Sequence, residues 1–231
     1  MKITHRLARF FSFSAVCLVI AGCSNGGSDN VTNLRFINAV TDVPGVDLIV
    51  DLDPFLEDVG YLENTDYVEF DVEPHFFQVT PSNSLSPIDE TTTTLEDDVD
   101  YTYLAYGTPA DADAMLLKDD NTPAGGGSFK VRTINVAPSL RSLDVFIVDD
   151  PSDITSATPT EDAIRYKGVS KYRYGQAGTY AVVVADSKSG RVLSTVPAYE
   201  FLSDGVYTLL LADEPDNGAS VKLIVLADSQ S

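Results

Sequence analysis

Carboxylates are the one chemically active side chain this chain has in quantity, and they fall into three short clusters. "DLDPFLED" carries Asp51, Asp53, Glu57 and Asp58; "EDDVD" carries Glu96, Asp97, Asp98 and Asp100; "DDPSD" carries Asp149, Asp150 and Asp153. Oxygen ligands gathered in a loop are what a calcium ion takes, so Asp51, Asp53 and Asp58, with Asp149, Asp150 and Asp153, are the candidate metal ligands. None of the three clusters follows the twelve-residue EF-hand order, and the simplest alternative is a solvated acidic loop. Weak calcium binding is therefore the only cofactor expected. Acids about 5 to 10 Å apart also serve glycosidases, but with 35 Asp and Glu in the chain no spacing singles out a pair. Trp, common in sugar clefts, is absent.

Other chemistries are poorly supplied. The chain has two histidines, His5 and His75, and two cysteines, Cys17 and Cys23. Zinc needs several converging ligands, and a serine hydrolase would need His75 as its base, yet no G-x-S-x-G accompanies it. His75 in "EPHFFQV" reads as a turn residue. "GGGS", ending at Ser128, lacks the lysine and helix of a phosphate loop and reads as a linker. Tyrosines form two short stripes, Tyr101, Tyr103 and Tyr106 in one segment and Tyr172 and Tyr174 in another. Such stripes are core or contact surface, and core is the simpler reading.

The elements that must position these residues are duplicated. "LRFINAVTDVPGVDLIVDLDP" (34–54) aligns without a gap on "VRTINVAPSLRSLDVFIVDDP" (131–151), 97 residues on. Arg35, Asn38 and Asp47 meet Arg132, Asn135 and Asp144. Tyr101-Thr102 meets Tyr207-Thr208, and Tyr67 meets Tyr172. Asn38, Asp47, Asn135 and Asp144 sit at matching strand ends, where capping of the backbone at a bend explains them. Each copy consists of short runs rich in Val, Ile, Tyr and Phe, divided by Gly, Pro, Asp and Ser, which read as strands; "PTEDAIRYKG" alone suggests a turn or two of helix. The expected fold is all-β, two immunoglobulin-like sandwiches in tandem, over 33–121 and 129–231 with a linker at 122–128.

The order "LRFINAV", "VDLIVD", a Tyr-led segment and a late "YTYLAYG" resembles the extracytoplasmic family DUF 4397, in both copies. The resemblance implies secreted or anchored β domains. The family is defined by pattern, so it supplies no active site.

The N-terminus reads as an address. A basic segment (Lys2, Arg6, Arg9) precedes an apolar run from Phe10 to Ala21, shorter than the about 20 residues that cross a bilayer, which makes it a signal peptide, residues 1–22. Ile20-Ala21-Gly22-Cys23 resembles the lipobox of bacterial lipoproteins, which implies lipidation at Cys23 and cleavage before it. Ser24, rather than Asp, at the next position matches the pattern sent to the outer membrane. Residues 23–32 then form a lipidated cysteine and a flexible Gly/Ser/Asn tether. Cleavage removes three basic residues and no acid, taking the net charge from −20 to −23. Such a surface repels phosphate backbones and excludes nucleic acid as a partner. The sequence thus points to a lipid-anchored envelope protein, non-enzymatic, that binds a protein or glycan or acts structurally; a calcium-stabilised or carboxylate-catalysed hydrolase of envelope polymer is the alternative.

Overall fold

A computed structural model describes residues 30–215 and 220–229; the signal segment, Cys23 and most of the tether lie outside the described residues. The chain is built from strands. The first half contains β1 (Val31–Val40), β2 (Val46–Val50), β3 (Asp53–Val59), β4 (Val68–Asp71), β5 (Pro74–Pro81), β6 (Asp89–Thr94), β7 (Asp100–Gly107) and β8 (Asp113–Asp119). The second half contains β9 (Ser128–Val136), β10 (Ser142–Val148), β11 (Glu161–Arg165), β12 (Gly168–Val169), β13 (Arg173–Gln176), β14 (Gly178–Asp186), β15 (Val192–Phe201), β16 (Val206–Asp213) and β17 (Val221–Ser229). One 3-10 turn among the described residues, Pro151–Thr155, follows β10.

Each half is a sandwich of two sheets. In the first, β4-β1-β7-β8 faces β3-β2-β5-β6; in the second, β12-β9-β16-β17, with β13 also paired to β9, faces β11-β10-β14-β15. Alternation along each strand sends one set of side chains inward. Leu34, Phe36, Tyr101 and Tyr103 pack against Leu48, Phe77 and Val79 in one core. Phe129, Val131, Tyr207 and Leu209 pack against Val145, Val182 and Val184 in the other. In both halves the first strand runs parallel to the penultimate one, β1 with β7 and β9 with β16. This parallel pair at the centre of a sheet, with four strands in each sheet of the first half, differs from the seven-stranded ABED/CFG order of an immunoglobulin constant domain.

The other face of these inner strands is buried as well. Ile37, Ala39, Leu104 and Tyr106 of the first half share one cluster with Ile134, Val136, Leu210 and Leu226 of the second. The two sheets that contain the parallel pairs therefore pack on each other, and the molecule is four sheets deep.

Three local expectations are corrected. The tether expected to run to residue 32 ends sooner, because Val31 pairs with Asp71 and the Val72 N–H reaches the Asn30 carbonyl. "PTEDAIRYKG" is not helical: β11 pairs with β10, and Ala163 has φ +49°, which ends any helical run. His75 is not a turn residue but a buried member of β5, 6% exposed and packed on the rings of Phe70 and Phe77.

Candidate functional site

The duplicated polar residues hold equivalent places in the two halves. Asn38 donates through Nδ2 to the Val59 carbonyl and accepts the Val40 N–H at Oδ1, both at 2.8 Å. Asn135 does the same with Ile164 (3.1 Å) and Ala137 (3.0 Å). Asp47 Oδ1 accepts the Asp58 N–H and the Ser82 hydroxyl, while Asp144 Oδ1 accepts the Ala163 N–H and the Ser187 hydroxyl. Both N–H groups belong to residues with positive φ, +56° at Asp58 and +49° at Ala163. The carboxylate thus secures a left-handed backbone position that favours few L residues.

The acidic loops do not assemble into a cation site. Among the described residues no three His, Cys, Asp or Glu side chains are grouped so as to hold a metal ion. Asp51 accepts from His75 Nδ1 at 2.7 Å and from the Phe76 N–H at 2.9 Å, and these two contacts, the first the larger, hold its carboxyl below the ordinary value. Asp58 contributes its backbone N–H to Asp47, Asp53 opens β3, and Asp150 caps the 3-10 turn by accepting from the Ser152 N–H and hydroxyl. Asp149 precedes that turn and Asp153 lies within it. His75 is held from both sides, by Asp51 at Nδ1 and by the Asp71 carbonyl at Nε2 (3.0 Å). Burial opposes its charge, but these acceptors outweigh burial and raise its pKa.

A buried polar assembly lies between the halves. Arg35 Nε donates to Thr102 Oγ1 at 2.8 Å, and that hydroxyl donates to Asp119 at 2.6 Å. Arg132 Nε donates to Thr208 Oγ1 at 3.0 Å, which in turn donates to Asp228 at 2.5 Å. The ion pairs cross over: Arg35 Nη2 stands 2.7 Å from Asp228 Oδ1, out of hydrogen-bond alignment, and Arg132 Nη2 bonds Asp119 Oδ1. The arginine side chains are 3% exposed and the carboxylates 0%. Tyr67 covers Arg35 with its ring centre 5.1 Å away, and Tyr172 covers Arg132 at 5.6 Å. Burial pushes the Asp228 carboxyl up, against the pull of the two arginines. Burial also presses on Arg132, but Asp119 and its other neighbours hold that guanidinium above its ordinary value.

A cavity of about 170 Å³ opens in the second half, between β9, β10, β13 and β14, with Thr160 also in its lining. Its inner walls are Phe129, Val131, Ile147 and Tyr180, and Arg173 and Tyr174 stand at its mouth. Tyr174 is 66% exposed. Arg173 donates to Glu161 of β11 at 2.9 Å, closing one side of the mouth. Comparison of the two halves shows why the space exists. Phe70 of β4 pairs with Thr32 of β1, and Gly175 of β13 pairs with Phe129 of β9, the same positions 97 residues on in the first strand. In the first half Phe70 fills the space and is 9% exposed. In the second the ring has moved to β9, where a Cβ on residue 175 would come within 2.5 Å of it, and room remains beside it.

Of the tyrosine stripes, Tyr101, Tyr103 and Tyr106 are buried, Tyr172 covers Arg132, and Tyr174 is exposed. Sequence reasoning aligned Arg35 with Arg132 but missed that they are buried. The signal was present: "LRFINAV" and "YTLLLA" are apolar at odd and even positions alike, the mark of strands covered on both faces.

A family model described as Domain of unknown function (DUF4397) matches residues 32–146. The DUF4397 match runs through the whole first sandwich and on through β9 into β10. No curated protein matches the chain. Among solved structures, the family 26 carbohydrate-binding module of Eubacterium rectale Amy13K, in complex with maltoheptaose, is 8% identical, with a TM-score of 0.29 over 87% of this chain and 98% of that one. A streptococcal virulence factor described as binding alpha-glucan is 12% identical, with a TM-score of 0.26 over 76% and 92%. Superposition at that level carries no information on topology or ligand.

Proposed function

We propose that the chain is a lipid-anchored, non-enzymatic binding module of the bacterial envelope, two DUF4397-type sandwiches packed as one body, held at the outer membrane through Cys23. The pocket of the second half is its ligand site. The observation that carries this reading is the Phe70 to Gly175 exchange between copies, which leaves one sandwich filled and the other open.

The chemistry of the walls names the ligand class. A cavity of about 150 Å³ lined by apolar side chains admits a single benzene-sized group, and this one is of that order. The polar groups of the lining, the Thr160 and Tyr180 hydroxyls, are already engaged with the Ile147 N–H and the Gln176 carbonyl, which leaves few partners for ligand hydroxyls, each of which loses free energy when buried unpaired. An aromatic or branched aliphatic side chain of a protein partner fits better than a sugar ring. Tyr174, exposed at the mouth, supplies contact area beside it.

Titration of the isotopically labelled C23A chain with toluene, followed by NMR, tests this. Shifts confined to Phe129, Tyr174 and Tyr180, and weakened by Tyr174→Ala, are expected. No shift with toluene, but shifts at the same residues with oligosaccharides, would replace the protein ligand by a glycan. The anchor is tested separately: labelled palmitate should enter the wild-type protein and the membrane fraction, and C23A should abolish both.

A further inference from the structure

The contact between the halves has the form of a twofold interface within one chain. Its buried centre occurs twice, whereas its rim, where Lys167 meets Asp113 and the Tyr61 hydroxyl meets the Asp213 carbonyl, does not. An arginine on the first strand (Arg35, Arg132), a threonine on the strand parallel to it (Thr102, Thr208) and an aspartate on the last strand (Asp119, Asp228) form one relay per half, and each arginine pairs with the other half's aspartate. The apolar part is duplicated too, with Ile37 and Leu104 meeting the equivalent Ile134 and Leu210. Such reciprocity, residue i on j and j on i, defines an isologous surface, one that recognises a copy of itself.

We propose that the inner face of each half is a self-complementary docking surface whose partner is a second copy of the same face. Within one molecule the other half supplies it. Between molecules, a first half pairs with a first half and a second with a second, because each half carries both the arginine and the aspartate that the crossed pairs require. A buried guanidinium facing a buried carboxylate rejects any partner lacking the complement, since an unpaired charge there is strongly destabilising.

Charge reversal tests this in the full chain. The variant R35D/D119R sets like charges against Asp228 and Arg132, which disfavours the contact between unlike halves. It leaves opposite charges facing each other when two altered first halves meet, and likewise when two second halves meet. Light scattering after size exclusion should show its mass at twice that of the wild type or more. R35D/D119R/R132D/D228R, in which all four charges are exchanged, should return to the wild-type mass. A double variant that keeps the wild-type mass would overturn the proposal.

A second measurement needs no change in the face. Gly125, Gly126 and Gly127 have nothing within 4 Å of where a Cβ would stand, so a protease site fits there. After cleavage, native mass spectrometry should find the pair of unlike halves together with both pairs of like halves. The unlike pair alone, or free halves, would overturn the proposal.

Discussion

Arg35 of β1 and Asp228 of β17 lie 193 positions apart in the chain yet meet at 2.7 Å, fully enclosed between two sandwiches. With their counterparts Arg132 and Asp119 they close a buried circuit of two guanidinium groups and two carboxylates. Removing one member breaks that balance. Asp119→Ala leaves Arg132 buried without its carboxylate and should lower stability by about 3–5 kcal/mol, read from urea unfolding. The double variant D119A/R132A should cost clearly less than the sum of its single variants, because the second substitution removes the orphaned charge. Additive costs would mean that the two side chains do not act as a pair.

His75 and Asp51 make stability depend on pH in a defined window. His75 has its pKa raised above 6.5 in the folded state, so its contribution is complete below pH 6.5 and is lost as pH rises through the folded value. Asp51 has its pKa lowered below 3.8, so its contribution is present above that pH and is lost as pH falls through the folded value. The pair therefore stabilises most between those limits. Asp51 is half exposed, and the effect should be about 1 kcal/mol or less. Thermal melts from pH 4 to pH 9 should show melting temperature falling on the alkaline side, and His75→Gln should flatten that limb.

Tyr101 and Tyr207 make the same corner in both halves. Each hydroxyl accepts a backbone N–H five residues upstream, Tyr101 from Glu96 at 3.1 Å and Tyr207 from Leu202 at 2.8 Å. Tyr→Phe at either position leaves a partly buried N–H unpaired and should cost about 1–3 kcal/mol. Chemical unfolding of Y101F and Y207F should give losses of similar size, because the two corners are copies; a loss in one alone would mean that only one corner bears on stability.

How far the sequence could be read depends on how local each interaction is. Most of the strands were legible because apolar runs and turn residues are local signals; Asn38 and Asp47 do bond backbone groups, but Asn38 does so from inside β1 rather than from a strand end. "DETTTT" (β6) and "DPFLEDV" (β3) carry no such signal, because polar edge strands lack the apolar pattern by which strands are recognised. His75 and the acids around Asp51 were legible only as residue types. Whether a carboxylate meets a cation, a histidine or its own backbone depends on contacts dozens of residues away, such as the 24 positions between Asp51 and His75. The pocket was invisible for the same reason, since it arises from the exchange of one phenylalanine between two neighbouring strands.

That exchange makes a prediction with opposite signs in the two halves. Phe70 is packed against Phe55, His75 and Phe77, and Phe70→Ala removes a ring from a filled core. It should cost about 3–5 kcal/mol, and the cavity it leaves should bind toluene where the wild-type first half binds none. In the second half the equivalent position already lacks a side chain. Gly175→Ala would set a methyl within 2.5 Å of the Phe129 ring and force that ring toward the open space, at a cost of about 1–3 kcal/mol. Toluene binding to the second half should then weaken. If both variants left ligand binding unchanged, the space beside Phe129 would not be the ligand site, and the difference between Phe70 and Gly175 would be a difference of packing alone.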